Sequence, residues 1–381
     1  MTEREVEQEA GPGSPPEAAP PAAAAPQDAS RPATLELGVV GWVLLASAGL
    51  ALAVGAWLLH ATRGAAPTGA PIDAGFALEP CLVPRALLVR AGGPSALPPL
   101  DLAGPAGRLA PAAALDLKVS GHSKLLKPLD RVIGVAVGGE ARAYPVRLLN
   151  WHEVALDEVG GVPLAVTWSG LADAARVFDR RVDGEVLDLA ASGWVLRSNL
   201  VLYDRRPAGQ GEGSLWGQLE GRAVAGPMAA RGARLAVVPS TLVPWSEWVA
   251  RHPETTVAAP DLSRAKLYKQ DPWSRYGGDD LVRFPTEPAP PAGPLRLKDR
   301  VVAVGRPGAW RVYSLAAASA RGAPWQVEQE GVALTLRRAQ GEPDCLVVEQ
   351  APPPGGAALE VVPAFWFAWW AAHATESVLV E

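Results

Sequence analysis

Cysteine is almost missing from this chain of 381 residues, and the two present, Cys81 and Cys345, stand apart with no Cys or His at ligand spacing. A cysteine-based zinc or iron–sulfur centre is therefore excluded. Two readings of the pair stay open: a disulfide joining the beginning and end of the folded region in an exported chain, or two small buried hydrophobes. A basic surplus is lacking as well, since 35 Lys and Arg face 40 Asp and Glu for a net charge of −5, and the cations are scattered instead of gathered in a stripe. No nucleic-acid partner is expected from such a surface. Long uncharged apolar runs are equally scarce, and residues 37–59 form the only one long enough to span a bilayer.

That run carries Trp42 and Trp57 near its ends, where amphipathic rings favour the membrane interface, and it reads as one transmembrane helix with membrane lipid as its partner. A cleaved signal peptide would be shorter and basic at its start, whereas the tail before this segment has seven acids against Arg4 and Arg31. Arg31 and Arg63 flank the helix symmetrically, so charge leaves the orientation open. Residues 1–36 are an Ala/Pro-rich tail with almost no large apolar side chain, expected to be disordered. Residues 60–128 read as a linker and irregular lead-in segment rich in Ala, Pro and Gly.

Beyond residue 128 the chain repeats itself. Asp130, Arg131 and Val132 return as Asp299, Arg300 and Val301, with an ungapped match that runs to Tyr144 and Tyr313. Trp245, Trp248 and His252 return in the same spacing as Trp366, Trp369 and His373. Self-similarity at both ends of a unit implies two related modules, 129–258 and 299–381, with the middle missing from the second and a connector over 259–298. Hairpin signals dominate: short β-rich runs flank Gly138-Gly139 and Asp183-Gly184, both suited to turns with positive φ. Helical pattern is confined to 244–252 and 364–373, each a short Trp-containing helix closing a module. The fold class expected is mainly β (α+β), a hairpin-rich domain. Within the connector, Tyr268, Trp273 and Tyr276 are expected to pack across the junction, and the five prolines of 285–294 to act as a stiff spacer.

The most polar stretch lies in the part present only in the first copy. His152 and Glu153, with Asp157 close in sequence, offer a base titrating near neutrality and carboxylates, the types used in acid–base chemistry, and are the candidate catalytic residues. The competing reading is a buried histidine bonded to backbone, with Glu153 paired to Arg180 or Arg205. Arg180, Ser192, Asn199, Asp204, Arg205, Trp216 and Gln218 are the candidate ligand-binding set, the arginines as forks for an anion or as internal salt bridges. No metal ligand set is assigned, and the sequence identifies no cofactor.

These motifs, in order, resemble the bacterial and archaeal family called domain of unknown function 3179. The likeness runs from about Gly75 to Val378 and includes Leu82, Val83 and Pro84, then His152 and Glu153, Gly160-Gly161, Phe178-Asp179-Arg180, Ser192-Gly193, Ser198-Asn199, Tyr203-Asp204-Arg205 and Ser214 to Gln218. The chain departs from the family where a Cys-Pro-Leu-Cys run is usual: here stand Ser169, Gly170, Leu171 and Ala172. If the family uses those thiols for metal or redox chemistry, this chain should be inactive in that respect, because neither Ser nor Ala replaces a thiolate. The resemblance to a largely exported family implies a soluble part outside the cytoplasm. The function expected is a non-enzymatic binding or structural module with a polar cleft in the first module, taking an unidentified small ligand or protein partner. The alternative is a metal-dependent or acid–base enzyme centred on His152, Glu153 and Asp157.

Overall fold

The structure, a computed structural model, describes residues 38, 42, 47–49, 76–91, 98–103, 109–111, 126–207, 211–259, 262–322 and 324–380. The 1–36 tail and nearly all of the apolar run 37–59 lie outside these, and among the described residues no helix is long and apolar enough to cross a membrane. The chain divides into Met1–Ala65 and Ala66–Glu381, and every sheet belongs to the second unit.

Three short strands come first, β1 (Leu88–Arg90), β2 (Leu100–Asp101) and β3 (Leu109–Pro111), each pairing at the edge of a different sheet. Parts of the segment read as linker are thus woven into the fold. The hairpin of β4 (Arg131–Val137) and β5 (Glu140–Pro145) turns at Gly138-Gly139, whose φ values of 59° and 83° are the positive pair that a type I′ turn needs. Then comes α1 (Val146–His152), a helix that the sequence reading did not anticipate; seven residues burying Val146, Leu148, Leu149 and His152 are too few for a helical period to stand out.

The insertion follows: β6 (Val154–Val159), β7 (Val162–Ser169), β8 (Ala174–Asp179), the ribbon β9 (Arg181–Val182) with β10 (Glu185–Val186), then β11 (Leu189–Leu196), β12 (Asn199–Asp204), β13 (Leu215–Gly217), β14 (Arg222–Ala225), α2 (Pro227–Ala230) and β15 (Ala236–Val237). The stretch opened by the β4–β5 hairpin closes with β16 (Ser240–Pro244), α3 (Trp245–Arg251) and β17 (Thr256–Ala258), after which the connector holds α4 (Ala265–Tyr268). The last part comprises β18 (Arg300–Arg306), β19 (Ala309–Ser314), α5 (Leu315–Ala320), β20 (Trp325–Gln329), β21 (Val332–Ala339), β22 (Glu342–Ala351), β23 (Glu360–Phe365), α6 (Trp366–His373) and β24 (Ser377–Val380).

One sheet, in the order β15-β8-β7-β6-β2, is a middle layer. Alternation along β7 sends Leu164, Val166 and Trp168 to a core shared with Ile133, Val135 and Tyr144 of the β4–β5 hairpin. Ala165 on the opposite face joins Leu200, Leu202 and Trp216 of the β1-β11-β12-β13-β14 sheet. Both faces being covered, the strand reads as a continuous apolar run.

The β4–β5 hairpin and the β18–β19 hairpin sit in sheets of the same order and sense. β16-β4-β5-β17 and β23-β18-β19-β24 each place one antiparallel strand beside the hairpin and one parallel strand on its far side. Bonding into the first strand recurs too: the amides of Lys127 and Arg296 donate to the carboxylates of Asp130 and Asp299 at 2.7 and 2.9 Å. The amides of Trp245 and Trp366 donate to the backbone carbonyls of the same aspartates, both at 2.9 Å. The closing helices are packing elements, with Trp248, Trp366 and Trp369 buried. Between the hairpin sheets the closing-helix ring meets different floors. Trp248 lies against Gly134, where an added Cβ would stand 2.2 Å from the ring, while Ala303 holds the equivalent position in the second sheet.

Cys81 is half-buried and Cys345 is buried, and no disulfide joins them. Of the two readings left open, the disulfide is not formed.

Candidate functional site

The residues singled out from sequence are engaged within the fold. Pro145 leads into α1, whose last residue is His152; its Nδ1 lies 2.6 Å from the Pro98 carbonyl, so Nδ1 carries the proton, and Nε2 is left to accept from the Tyr268 hydroxyl at 2.9 Å. Burial lowers its pKa, against the Pro98 carbonyl, which favours the proton. This is the buried, bonded histidine. Asp157 lies on β6 and is closed in by Arg142 at 2.6 Å and the Tyr144 hydroxyl at 2.8 Å. Glu153 differs: it caps α1 with φ 59°, a left-handed conformation strained for a non-glycine residue, and among the described residues its carboxyl meets no partner. The expected pairing to Arg180 or Arg205 is not made; burial pushes the carboxyl up to about 7. Among the described residues no group of three or more His, Cys, Asp or Glu is arranged to hold a metal.

The candidate ligand-binding set is spread over several internal jobs. Arg180 donates to the Leu187 carbonyl, and Arg205 pairs with Asp188 at 2.6 Å. Ser192 bridges the bulge between β11 and β12, donating to Val201 and accepting from the Trp194 amide. Asp204 holds the Trp216 indole at 2.9 Å and the Ser214 amide at 2.6 Å. Asn199 and Gln218 bond to each other, and Gln218 reaches Thr167 on β7. The buried bonds of Ser192, Asn199, Asp204, Trp216 and Gln218 fix strand register, while Arg180 Nε and Arg205 Nε have no partner among the described residues.

An opening exists elsewhere. A cleft of about 780 Å³ lies between the two hairpin units and is lined by equivalent positions of both. Leu129, Asp130 and Arg131 face it from the start of β4, and Lys298, Asp299 and Arg300 from the start of β18. The first residues of the following helices, Val146 and Arg147 in one unit and Leu315 and Ala316 in the other, line it as well. Connector residues from Lys269 to Gly278 form a further part of the wall, with Trp273 and Tyr276 among them.

The turn from β7 to β8 joins the units. Asp173, with φ 47°, is buried there and accepts two bonds from Arg131, at 2.7 and 2.9 Å, and one from Arg300 at 2.7 Å. One carboxylate thus holds the repeated arginine of each unit. Burial disfavours its ionisation, but the two guanidiniums outweigh this and keep Asp173 below the usual carboxylate range. Ser169 and Ala172, at the positions of the family's thiols, are buried in the same turn. Gly170 between them lies under Trp273, whose indole nitrogen would be 2.1 Å from an added Cβ. A proline, usual at that position in the family, would collide with this ring.

Cations outnumber acids in the cleft. Seven cations line it, Arg131, Arg147, Lys269, Arg296, Lys298, Arg300 and Arg338, against four acids, Asp130, Asp173, Asp271 and Asp299. The chain as a whole is net negative at −5. Several cations are matched internally: Arg147 pairs with Asp130 at 2.9 Å, Arg296 with Asp299 at 3.0 Å and Lys298 with Asp279 at 2.6 Å. Lys269 is exposed. A low-dielectric concavity with such a surplus focuses positive potential on what enters it.

The family model described as a protein of unknown function (DUF3179) matches residues 115–349. The chain belongs to that family. Neither the curated proteins nor the solved structures contain a match to it. The matched span holds every charged residue of the cleft and the whole β7–β8 turn. Sequence reasoning missed this site because it looked for polar residues that the second copy lacks. The echo itself was the usable signal: Asp130-Arg131 and Asp299-Arg300 recur as charged pairs, and charge kept at the start of both hairpins marks the place where both hairpins meet.

Proposed function

We propose that this is a non-enzymatic binding protein whose site is the cleft between the two hairpin units, and that its ligand is a small anion bearing carboxylate or phosphate groups. The observation that carries the reading is the three-cation surplus of a cleft lined from both units, in a chain of opposite net charge. Arginine forks recognise planar oxyanions through paired donors, and Lys269 at the rim supplies a mobile point charge. Trp273 and Tyr276 give the wall an apolar face for the body of the ligand. Ser169 and Ala172, in the turn beside the cleft-lining Gly170 and Asp173, carry no thiol, which favours binding over redox chemistry in this chain. On this reading the hairpin units are related modules, the second shortened. Residues 37–59 anchor the protein in the membrane and the cleft works outside the cytoplasm, as the apolar run and the resemblance to exported relatives suggest.

Calorimetric titration of the full chain with citrate and with inorganic phosphate tests the proposal. Saturable binding of one of them is expected, weakened by salt and by about tenfold or more in Lys269→Glu. Binding that ignores both, or no binding of either anion, would contradict it.

Glu153 supports a second reading, an acid–base enzyme around His152, Glu153 and Asp157, because an unpartnered carboxyl titrating at about 7 is suited to proton transfer. Its test is a carboxyl-directed label at neutral pH: preferential reaction at Glu153 that a bound ligand blocks would favour it, and an inert Glu153 would remove it.

A further inference from the structure

The two closing helices end in the same side-chain arrangement. His252, the residue after α3, stacks on Trp248 with ring centroids 4.1 Å apart, and His373, at the matching position of the repeat, stacks on Trp369 at 4.2 Å. What each imidazole meets beyond its tryptophan differs. His373 is buried, and its Nε2 donates at 3.0 Å to the carbonyl of Leu219, in the turn between β13 and β14. Arg176 Nη1 on β8 donates to the same carbonyl at 2.7 Å. The insertion thus seats a carbonyl oxygen on the second Trp–His pair, with an arginine as co-donor.

The first pair borders a pocket instead. It holds about 370 Å³, is lined by Trp248, Arg251 and His252, and shares no lining residue with the charged cleft. Leu242 of β16, Val302 of β18, Val348 of β22, and Val361 and Pro363 of β23 make much of its wall apolar. Its one carboxylate, Glu349, is held by Arg337 at 2.7 Å. Among the described residues no protein group bonds the His252 ring, and Arg251 reaches its partner Glu247 only at 3.5 Å. Burial, and then the Arg251 charge, lower the His252 pKa, so near neutral pH the ring is uncharged and offers one N–H.

We propose that this pocket binds a small aliphatic carboxylic acid, whose carboxylate takes on His252 and Arg251 the place that the Leu219 carbonyl takes on His373 and Arg176. The donor types are the same in both copies, a Trp-stacked imidazole and a guanidinium. A carboxylate suits the first copy because hydrogen bonds between two charged groups are shorter and stronger than neutral ones, and the pocket's own acid is already engaged. The hydrocarbon body lies along the valine, leucine and proline wall. At the lower end of the volumes that small-molecule sites have, the pocket admits a short chain and excludes a long one.

Calorimetric titration of the full chain with hexanoate, beside hexanol as the uncharged molecule of the same length, tests the proposal. Saturable hexanoate binding is expected, tighter than that of hexanol by about tenfold or more. His252→Phe keeps a ring on Trp248 without its N–H and should weaken hexanoate by about tenfold. Ala136→Leu, at an exposed position lining the pocket, should abolish binding by filling it, whereas Lys269→Glu in the cleft should leave it unchanged. A parent that does not bind hexanoate, variants His252→Phe and Ala136→Leu that bind it as the parent does, or a loss of binding in Lys269→Glu would each overturn the proposal. Urea unfolding checks that the variants are folded, and either pocket variant decides if the other is not.

Discussion

Glu153 and His373 pull the stability of the fold in opposite directions as pH changes. Burial lifts the Glu153 carboxyl from 4.5 to about 7 and drops the His373 imidazole from 6.5 to about 4. With its folded pKa raised, Glu153 binds the extra proton in the folded state, so its contribution to stability falls as pH rises from about 4.5 to 7. His373 binds the extra proton in the unfolded state, so its contribution is complete above about 6.5 and is lost as pH falls towards 4. The slopes oppose one another over their shared range. Glu153→Gln should gain roughly 2 kcal/mol at neutral pH and lose stability on acidification more steeply than the parent. His373→Gln should show the reverse trend, with stability falling as pH rises from about 4.5 to 7. Urea unfolding of parent and variants at several pH values reads both, and parallel profiles for all three would refute the assignment.

At the scale of elements, the closing helices and the β7–β8 turn make the sharpest predictions. Gly134 has no room for a side chain under Trp248, so Gly134→Ala should cost about 1–3 kcal/mol in urea unfolding, while Ala303→Gly in the second sheet should cost no more than about 1 kcal/mol. Asp173→Asn keeps a residue that tolerates φ near 47° but removes the charge both arginines share; a loss of about 3 kcal/mol is expected, and an unchanged midpoint would show that the two ion pairs add nothing. Much at this scale was legible in the sequence. Gly138-Gly139 announced its hairpin because few residues besides glycine accept two successive positive φ angles, and the Trp pairs at 245/248 and 366/369 announced buried helix faces. α1 and α5 were not legible, since fewer than two full turns after a strand are too short to show a period. The pairing of β1, β2 and β3 was also hidden, because two- and three-residue strands are set by the edges they meet and not by their own composition.

For the whole molecule, the cleft is a product of long-range assembly, and this is why the residues that form it did not announce themselves. Asp173 is separated in sequence from Arg131 by 42 positions and from Arg300 by 127, and nothing local in either arginine says which carboxylate it will meet. His152, Glu153 and Asp157, adjacent in sequence, are divided among a helix end, a strained cap and a strand, and the fold spends two of them on internal bonds. Neighbourhood in sequence was a poor guide to neighbourhood in space, while the repeated Asp-Arg pair was a good one. The measurement that bears most directly on the account is the structure of the protein crystallised with citrate. The account predicts ligand density in the cleft between the starts of β4 and β18, within reach of Lys269 and of the arginines of both units. Citrate bound instead at the Arg180 and Arg205 side of the insertion, or no ordered citrate under conditions that saturate binding in solution, would contradict it.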